Sequence, residues 1–135
     1  MKENKKIKME IGKKELLNML SQYYSEKLGQ TITVKSKVES FLKGYGMGEY
    51  EDTEVELYFS YEKSIGPTIV KITTTLEEDD IKEVLNDILS NLNYKVESID
   101  YKKGTHLVGY YEQKEPYFNG ITLGIKEKGF EKELK

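Results

Sequence analysis

Four amino acids are absent from this chain of 135 residues: alanine, arginine, cysteine and tryptophan. The absence of cysteine excludes disulfides, thiol catalysis and thiolate metal sites, and it fits a reducing compartment. Because arginine is absent, all 21 basic side chains are lysines, which lack the bidentate fork that arginine presents to phosphates and carboxylates. These absences are typical of AT-rich coding, which indicates a low-GC bacterium or one of its phages or plasmids.

A strong net charge and long apolar runs are also missing. The formal net charge of −3 argues against binding through bulk positive charge, so we expect no direct contact with nucleic acid. No apolar run approaches the ~20 residues of a membrane span, and the N-terminus has no signal-peptide pattern. Leucine, isoleucine, valine and phenylalanine together suffice for one small core. We therefore expect a cytoplasmic protein with a single domain over residues 1–135 and no membrane contact.

The spacing of apolar residues predicts two helices and several strands. One helix runs from Lys13 to Leu28 and stops at Gly29. The other is capped by Thr75, with Glu78 completing a capping box, and continues to about residue 92. Strands are predicted at 6–11, 32–38, 54–61, 68–74, 94–99, 106–112 and 120–126, with turns at Gly66-Pro67 and Lys103-Gly104 and with Pro116 between the last two strands.

The two halves of the chain follow the same order and contain similar short segments. Lys14–Asn18 resembles Lys82–Asn86, and Lys43–Tyr45 resembles Val108–Tyr110. We interpret this as a duplicated β-α-β-β unit, with pseudo-repeats at about 5–62 and 68–127 and a charged tail at 128–135. Chance similarity in a biased composition is the alternative. Two amphipathic helices covering one face of an antiparallel sheet predict an α+β fold, a two-layer sandwich.

Few residues are suited to catalysis or cofactor binding. His106 is the only histidine and has no nucleophile motif beside it, so we expect a structural or exposed side chain. Gly44, Gly46 and Gly48 lack the spacing of a phosphate-binding motif, and the strand that follows them favours a hairpin loop. The expectation is a protein that is not an enzyme and has no metal site and no cofactor.

Two surface features point to a binding role. Six acidic residues and no lysine lie between residues 49 and 62, which indicates either a solvated strand face or an electronegative stripe that meets a basic partner. Tyrosines flank the two Gly-Tyr loops and either pack in the core or form a contact surface, since tyrosine is favoured at interfaces. The candidate partner-binding residues are Tyr45, Met47, Tyr50, Glu51, Asp52, Glu54, Glu56, Tyr110 and Tyr111.

Three segments resemble small uncharacterised proteins of low-GC Gram-positive phages and mobile elements. They are Lys43–Glu49, Tyr117–Thr122 and the run Thr74–Glu78 that leads into Ile81–Leu85. The resemblance covers about a third of the chain and implies a genomic origin, with no functional residue to carry over. Small phage proteins without catalytic residues are often inhibitors of host machinery, anti-CRISPR and other anti-defence proteins among them.

We therefore expect a non-enzymatic phage or mobile-element protein that inhibits a host defence or nucleic-acid enzyme by protein contact, in the manner of an anti-CRISPR. Its acidic, tyrosine-rich surface would meet a host protein, for example a basic nuclease such as a CRISPR effector. The alternative is a protein that binds or sequesters a small ligand, such as a nucleotide signal, between the glycine loops. Either function is compatible with a homodimer.

Overall fold

A computed structural model describes residues 6–43, 50–108 and 113–127 of the protein, with the side chains of all of these except 41–43, 50–51, 107–108 and 113–114. The elements follow the order β-α-β-β twice, as the sequence predicts. They are β1 (Ile7–Gly12), α1 (Lys13–Leu28), β2 (Lys35–Lys43), β3 (Tyr50–Ile65), β4 (Thr68–Leu76), α2 (Glu78–Leu89), a short 3-10 helix (Ser90–Leu92), β5 (Tyr94–Val108) and β6 (Gln113–Glu127).

The strands form two antiparallel sheets of three strands each, in the orders β1-β6-β5 and β2-β3-β4. The first strand of each half pairs with the last strand of the other half. Strand β1 pairs with β6, and β4 pairs with β3. The predicted α+β class with two helices is confirmed, and the sheet layer consists of two sheets. Each sheet needs strands from both halves, so neither half completes a sheet alone.

The positions of equivalent residues support the duplication. Ile11 and Leu76 are the last buried residues of β1 and β4, and they are 65 positions apart. The residues opposite them in register, Ile121 and Leu57, are also buried and are 64 positions apart. The two halves therefore match almost without gaps.

The helices match at the same offset. The residues that precede α1 and α2 are Gly12 and Glu77, which are 65 positions apart. The sequence similarity of Lys14–Asn18 to Lys82–Asn86 implied an offset of 68, which is wrong by nearly one helical turn. The spacing of apolar residues repeats every three to four residues, so a shift of one turn preserves the pattern.

Both helices bury an apolar stripe, and each has a defined end. Helix α1 buries Leu16 and Leu20 and ends as predicted at Gly29, which has a left-handed φ of 68° and donates its N–H to the Ser25 carbonyl at 2.9 Å. Helix α2 buries a fuller stripe than α1. That stripe consists of Ile81, Val84, Leu85 and Leu89.

The predicted cap of the second helix is wrong by two residues. Thr75 still belongs to β4, where it pairs with Tyr58, and the helix begins at Glu78 after the cap residue Glu77. The Asp80 carboxylate accepts the N–H of Glu77 at 2.9 Å, which satisfies a donor that the helix itself leaves open.

The second strand begins later than predicted, at Lys35. Ile32 and Val34 are buried as expected, but they precede the strand. Their N–H groups bond to helix side chains, since Ser25 Oγ accepts from Ile32 and Ser21 Oγ accepts from Val34, each at 2.8 Å. Two serine hydroxyls of α1 thus replace sheet partners and hold this segment against the helix.

The predicted turn at Lys103-Gly104 does not exist, because β5 runs through it to Val108. Gly104 lies opposite Tyr117, and a Cβ on Gly104 would meet the Tyr117 hydroxyl at 2.9 Å. Glycine therefore makes room for a cross-strand ring instead of a turn. The second half has three strands, and Pro116 lies inside β6, in the part that β1 does not reach.

The core lies between the helices and the inward faces of both sheets, and the buried side chains form one hydrophobic cluster. Strand β6 contributes alternate residues to it, since Ile121, Leu123 and Ile125 are buried. Both sheets and both helices therefore share one core.

Strand β3 is staggered against its neighbours. Strand β2 pairs with its residues 50–58, and β4 pairs with its residues 57–65. Among the β3 residues, only Leu57 and Tyr58 have a strand of the described chain on both sides. This stagger has two consequences. Beyond the end of β2, strands β3 and β4 form a two-stranded extension, which we call the β3–β4 arm (residues 59–74). Along residues 50–56, β3 pairs with β2 but not with β4.

Gly120 packs against the backbone at the end of β1, and its replacement tests the β1–β6 pairing. It has a φ of +131°, and a Cβ there would collide with the backbone of Ile11 and Gly12. We expect Gly120→Ala to lower the free energy of unfolding by on the order of 3 kcal/mol or more. Denaturant unfolding measures the loss.

Gly29→Ala is the matched control. Its φ is also positive, at +68°, but nothing lies within 4 Å of the added Cβ. It should cost only the left-handed backbone strain of about 1–2 kcal/mol. Equal losses in the two variants would contradict the tight contact at Gly120.

Candidate functional site: an acidic cleft

A cleft of about 340 Å³ lies beside β3 at the point where β4 ends and α2 begins. We call it the acidic cleft, because five carboxylates and one lysine are the charged groups that line it. Its lining residues are Lys37 and Glu39 of β2, Glu54, Val55 and Glu56 of β3, Thr75 and Leu76 of β4, Glu77, Glu78 of α2 and Tyr101 of β5.

The register of β2 and β3 sets the positions of the charges. Lys37 lies opposite Glu56, and Glu39 lies opposite Glu54. All four are exposed. Glu39 and Glu54 are like charges directly opposite each other, an arrangement that disfavours strand pairing.

The polar contacts within the cleft leave a negative surface. Lys37 Nζ lies 3.0 Å from Glu39 Oε1, and this contact, with a smaller contribution from Glu56, raises the pKa of the lysine. The Thr75 hydroxyl donates to Glu56 Oε1 at 3.3 Å. One lysine offsets only one of the five carboxylates, so the cleft favours a cation over an anion.

Tyr101 is the aromatic residue of the cleft. It lies in β5, is half-buried, and packs edge-on against Phe118 with 5.9 Å between the ring centroids. Burial, together with the charges of Glu78 and Glu77, raises the pKa of Tyr101 to about 12. The ring stays neutral at physiological pH and presents a polarisable surface beside the carboxylates.

The structure brings together only part of the predicted partner-binding set. Glu54 and Glu56 line the cleft. Asp52 lies two residues before them in β3, and its carboxylate accepts the N–H of Thr53 at 3.0 Å. Tyr50 and Glu51 belong to β3, but their side chains lie outside the described part, and Tyr45, Met47, Tyr110 and Tyr111 lie outside the described residues.

Five charged or aromatic residues of the cleft were not predicted from the sequence: Lys37, Glu39, Glu77, Glu78 and Tyr101. Glu78 was interpreted only as a helix-capping residue, and Lys37, Glu39 and Tyr101 lie outside the acidic run. The alternation of Lys37 and Glu39 with apolar neighbours was a usable signal for an exposed strand face. Nothing in the sequence placed Tyr101 beside it.

His106 is exposed, and its ring lies 5.5 Å from that of Tyr117, measured between centroids. Among the residues that the structure describes, no group of three or more histidine, aspartate or glutamate side chains is arranged to hold a metal ion. No helix of the described chain is long and apolar enough to cross a membrane.

Comparisons with protein-family models, with curated proteins and with solved structures find no significant match to this chain. The inference of function therefore starts from the geometry and charge of the cleft.

The raised pKa of Tyr101 predicts a loss of stability at alkaline pH. The unfolded side chain ionises near pH 10 and the folded one near 12, so its contribution to stability is complete below about pH 10 and is lost as the pH rises towards 12. In this range the free energy of unfolding of the wild type should fall more steeply with pH than that of Tyr101→Phe. Parallel urea unfolding between pH 9 and about pH 11.5 measures both slopes. Identical slopes would show that the Tyr101 hydroxyl is not held in its neutral form by the fold.

Proposed function

We propose that this protein is a non-enzymatic binding protein whose acidic cleft holds a lysine- or arginine-rich surface of another protein. The observation that carries the proposal is the convergence of five carboxylates from two strands and a helix start on one cleft. Five carboxylates against one lysine give the lining a negative formal charge, which suits a positively charged partner.

The cleft has two means of holding a cation. Carboxylates attract an ammonium or guanidinium group, and fields of one sign in a cleft accelerate the approach of an oppositely charged partner. The ring of Tyr101 offers a cation–π contact beside them. A basic side chain of the partner inserted between Glu56 and Tyr101 would use both.

The partner class follows from this chemistry and from the resemblance to phage proteins. A basic surface that must remain exposed is typical of proteins that bind nucleic acid. We therefore propose a host defence or nucleic-acid enzyme as the target, such as a basic nuclease of a CRISPR system. Inhibition would occur in the cytoplasm of the bacterial host, by occupation of the nucleic-acid groove.

The alternative of a nucleotide-binding protein has no comparable support. Its predicted pocket lies between the loops at 44–49 and 109–112, which are outside the described residues. The acidic cleft itself disfavours a phosphate, because like charges repel.

Charge reversal in the cleft tests the proposal. Wild type and the double variant Glu54→Lys/Glu56→Lys serve as baits for affinity capture from a lysate of a low-GC bacterium that carries a CRISPR system. We expect the wild type to retain a basic protein in stoichiometric amount, and the variant to lose it. With the retained protein purified, the affinity of the wild type should fall steeply with salt, and the residual affinity of the variant should fall less.

The control bait is Glu26→Lys/Glu97→Lys, which changes the net charge equally at exposed positions outside the cleft. It should retain the same basic protein as the wild type. If both double variants retain it equally, the acidic cleft is not the binding site. If neither the wild type nor the control retains a basic protein from hosts of this kind, the proposed target class is wrong.

A further inference from the structure

The outer edge of β4 is an open strand edge. β4 is the last strand in the order β2-β3-β4, and no strand of the described chain pairs with its other side. The backbone N–H and C=O groups along such an edge form a template for another strand. The edge is nine residues long, which is longer than a typical strand.

The other sheet edges carry features that discourage pairing, and β4 does not. Strand β1 has only six residues, two of them charged, and β2 has four charged residues in nine. Strand β5 has five charged residues and a bulge at Glu97. Strand β4 has one charge, Lys71, in a run rich in threonine, isoleucine and valine. Charges and bulges are the usual protection of edges, so β4 is the least protected of the four.

The β3–β4 arm packs against the rest of the chain at its base, where Phe59 is buried in the core. Further out it consists of two strands, and an isolated two-stranded ribbon is marginally stable in water. Ile65 and Ile69 are 59% and 67% exposed, one on each face of the arm. On the face that continues from the core, Tyr61 and Ile72 lie opposite each other and are half-buried. A third strand beside β4 would extend this apolar row.

We propose that a second copy of this chain pairs with β4 along this edge, antiparallel and centred on Ile72. This register joins all nine residues, Thr68–Leu76, to the same nine residues of the partner. A register centred on Lys71 would place two lysines opposite each other, which is unfavourable. A register centred on Val70 would pair only the five residues 68–72 before the turn at Gly66-Pro67 intervenes. Length and charge therefore select Ile72 as the centre.

The paired arms would form one six-stranded sheet in the order β2-β3-β4-β4-β3-β2. Ile72 would contact Ile72 of the partner subunit, and Lys71 would face the partner's Thr73. Each arm thereby gains a third strand, and the exposed Ile69 faces the partner's Thr75 across the new pairing. The homodimer does not rest on the function proposed for the acidic cleft, but the two surfaces share Thr75 and Leu76.

The absence of cysteine makes a crosslinking test clean. Opposite residues of antiparallel strands have Cα atoms about 4.5–5.5 Å apart, within the reach of a disulfide. Ile72→Cys should therefore form a covalent dimer under mild oxidation, seen on a non-reducing gel. Lys71→Cys is the matched control. In this register the two copies of residue 71 are diagonal neighbours, and their Cα atoms lie about 7–8 Å apart, which is too far for a disulfide. A mixture of Lys71→Cys and Thr73→Cys proteins should crosslink between the two variants.

A charge pair tests the same register without oxidation. Thr73→Glu places a carboxylate opposite the partner's Lys71, and Thr73→Lys places an ammonium there. Both variants lose the 2.8 Å contact between the hydroxyls of Thr73 and Ser60, so this loss cancels in the comparison. We expect the dimer dissociation constant of the lysine variant to exceed that of the glutamate variant by about tenfold or more, because two symmetric pairs change sign.

Sedimentation equilibrium measures both dissociation constants, and circular dichroism checks that each variant is folded. A wild type that is monomeric at its highest soluble concentration, with no crosslinking of Ile72→Cys, would overturn the proposal. Crosslinking of Lys71→Cys alone, or equal dissociation constants for the two charge variants, would overturn the proposed register.

Discussion

The pairing of each half's first strand with the last strand of the other half is the constraint on which the rest of the structure depends. Strand β1 pairs with β6 and β4 pairs with β3, so each sheet closes only when both halves are present. Because the core is shared by the two sheets and the two helices, a change in either pairing affects all of it. This arrangement also fixes Gly120 against the end of β1, where only glycine fits.

The acidic cleft and the open arm are both consequences of the stagger of β3. Strand β4 pairs with the second part of β3 and leaves the first part of β3 without this neighbour. After β4 the chain continues into α2. The uncovered part holds Glu54 and Glu56 beside the helix start, while the paired part extends beyond β2 as a two-stranded arm. One displacement of strand against strand thus produces both the acidic cleft and the open edge of β4.

Local signals in the sequence were sufficient for α1 and for the presence of α2, but they misplaced the start of α2 and divided β5 into two strands. The spacing of leucines and Gly29 gave α1 its observed bounds, and the alternation around Leu57 and Phe59 identified the centre of β3. Features that depend on a distant partner were not predictable. Gly104 looks like a turn residue until Tyr117 is placed opposite it, and Tyr101 joins the cleft only through the tertiary fold. The acidic run was visible as charge, but Glu39, Glu77 and Glu78 belong to the same cleft for reasons of register alone.

The central claim is that the cleft recognises positive charge at a specific place. Titration of the isotope-labelled protein with a hexalysine peptide, followed by amide chemical shifts in NMR, tests it most directly. The account predicts that shifts change first at residues 37–39, 54–56, 75–78 and 101, and that salt reverses the changes. Changes spread evenly over all exposed acidic residues, including Glu26 and Glu97, would contradict it.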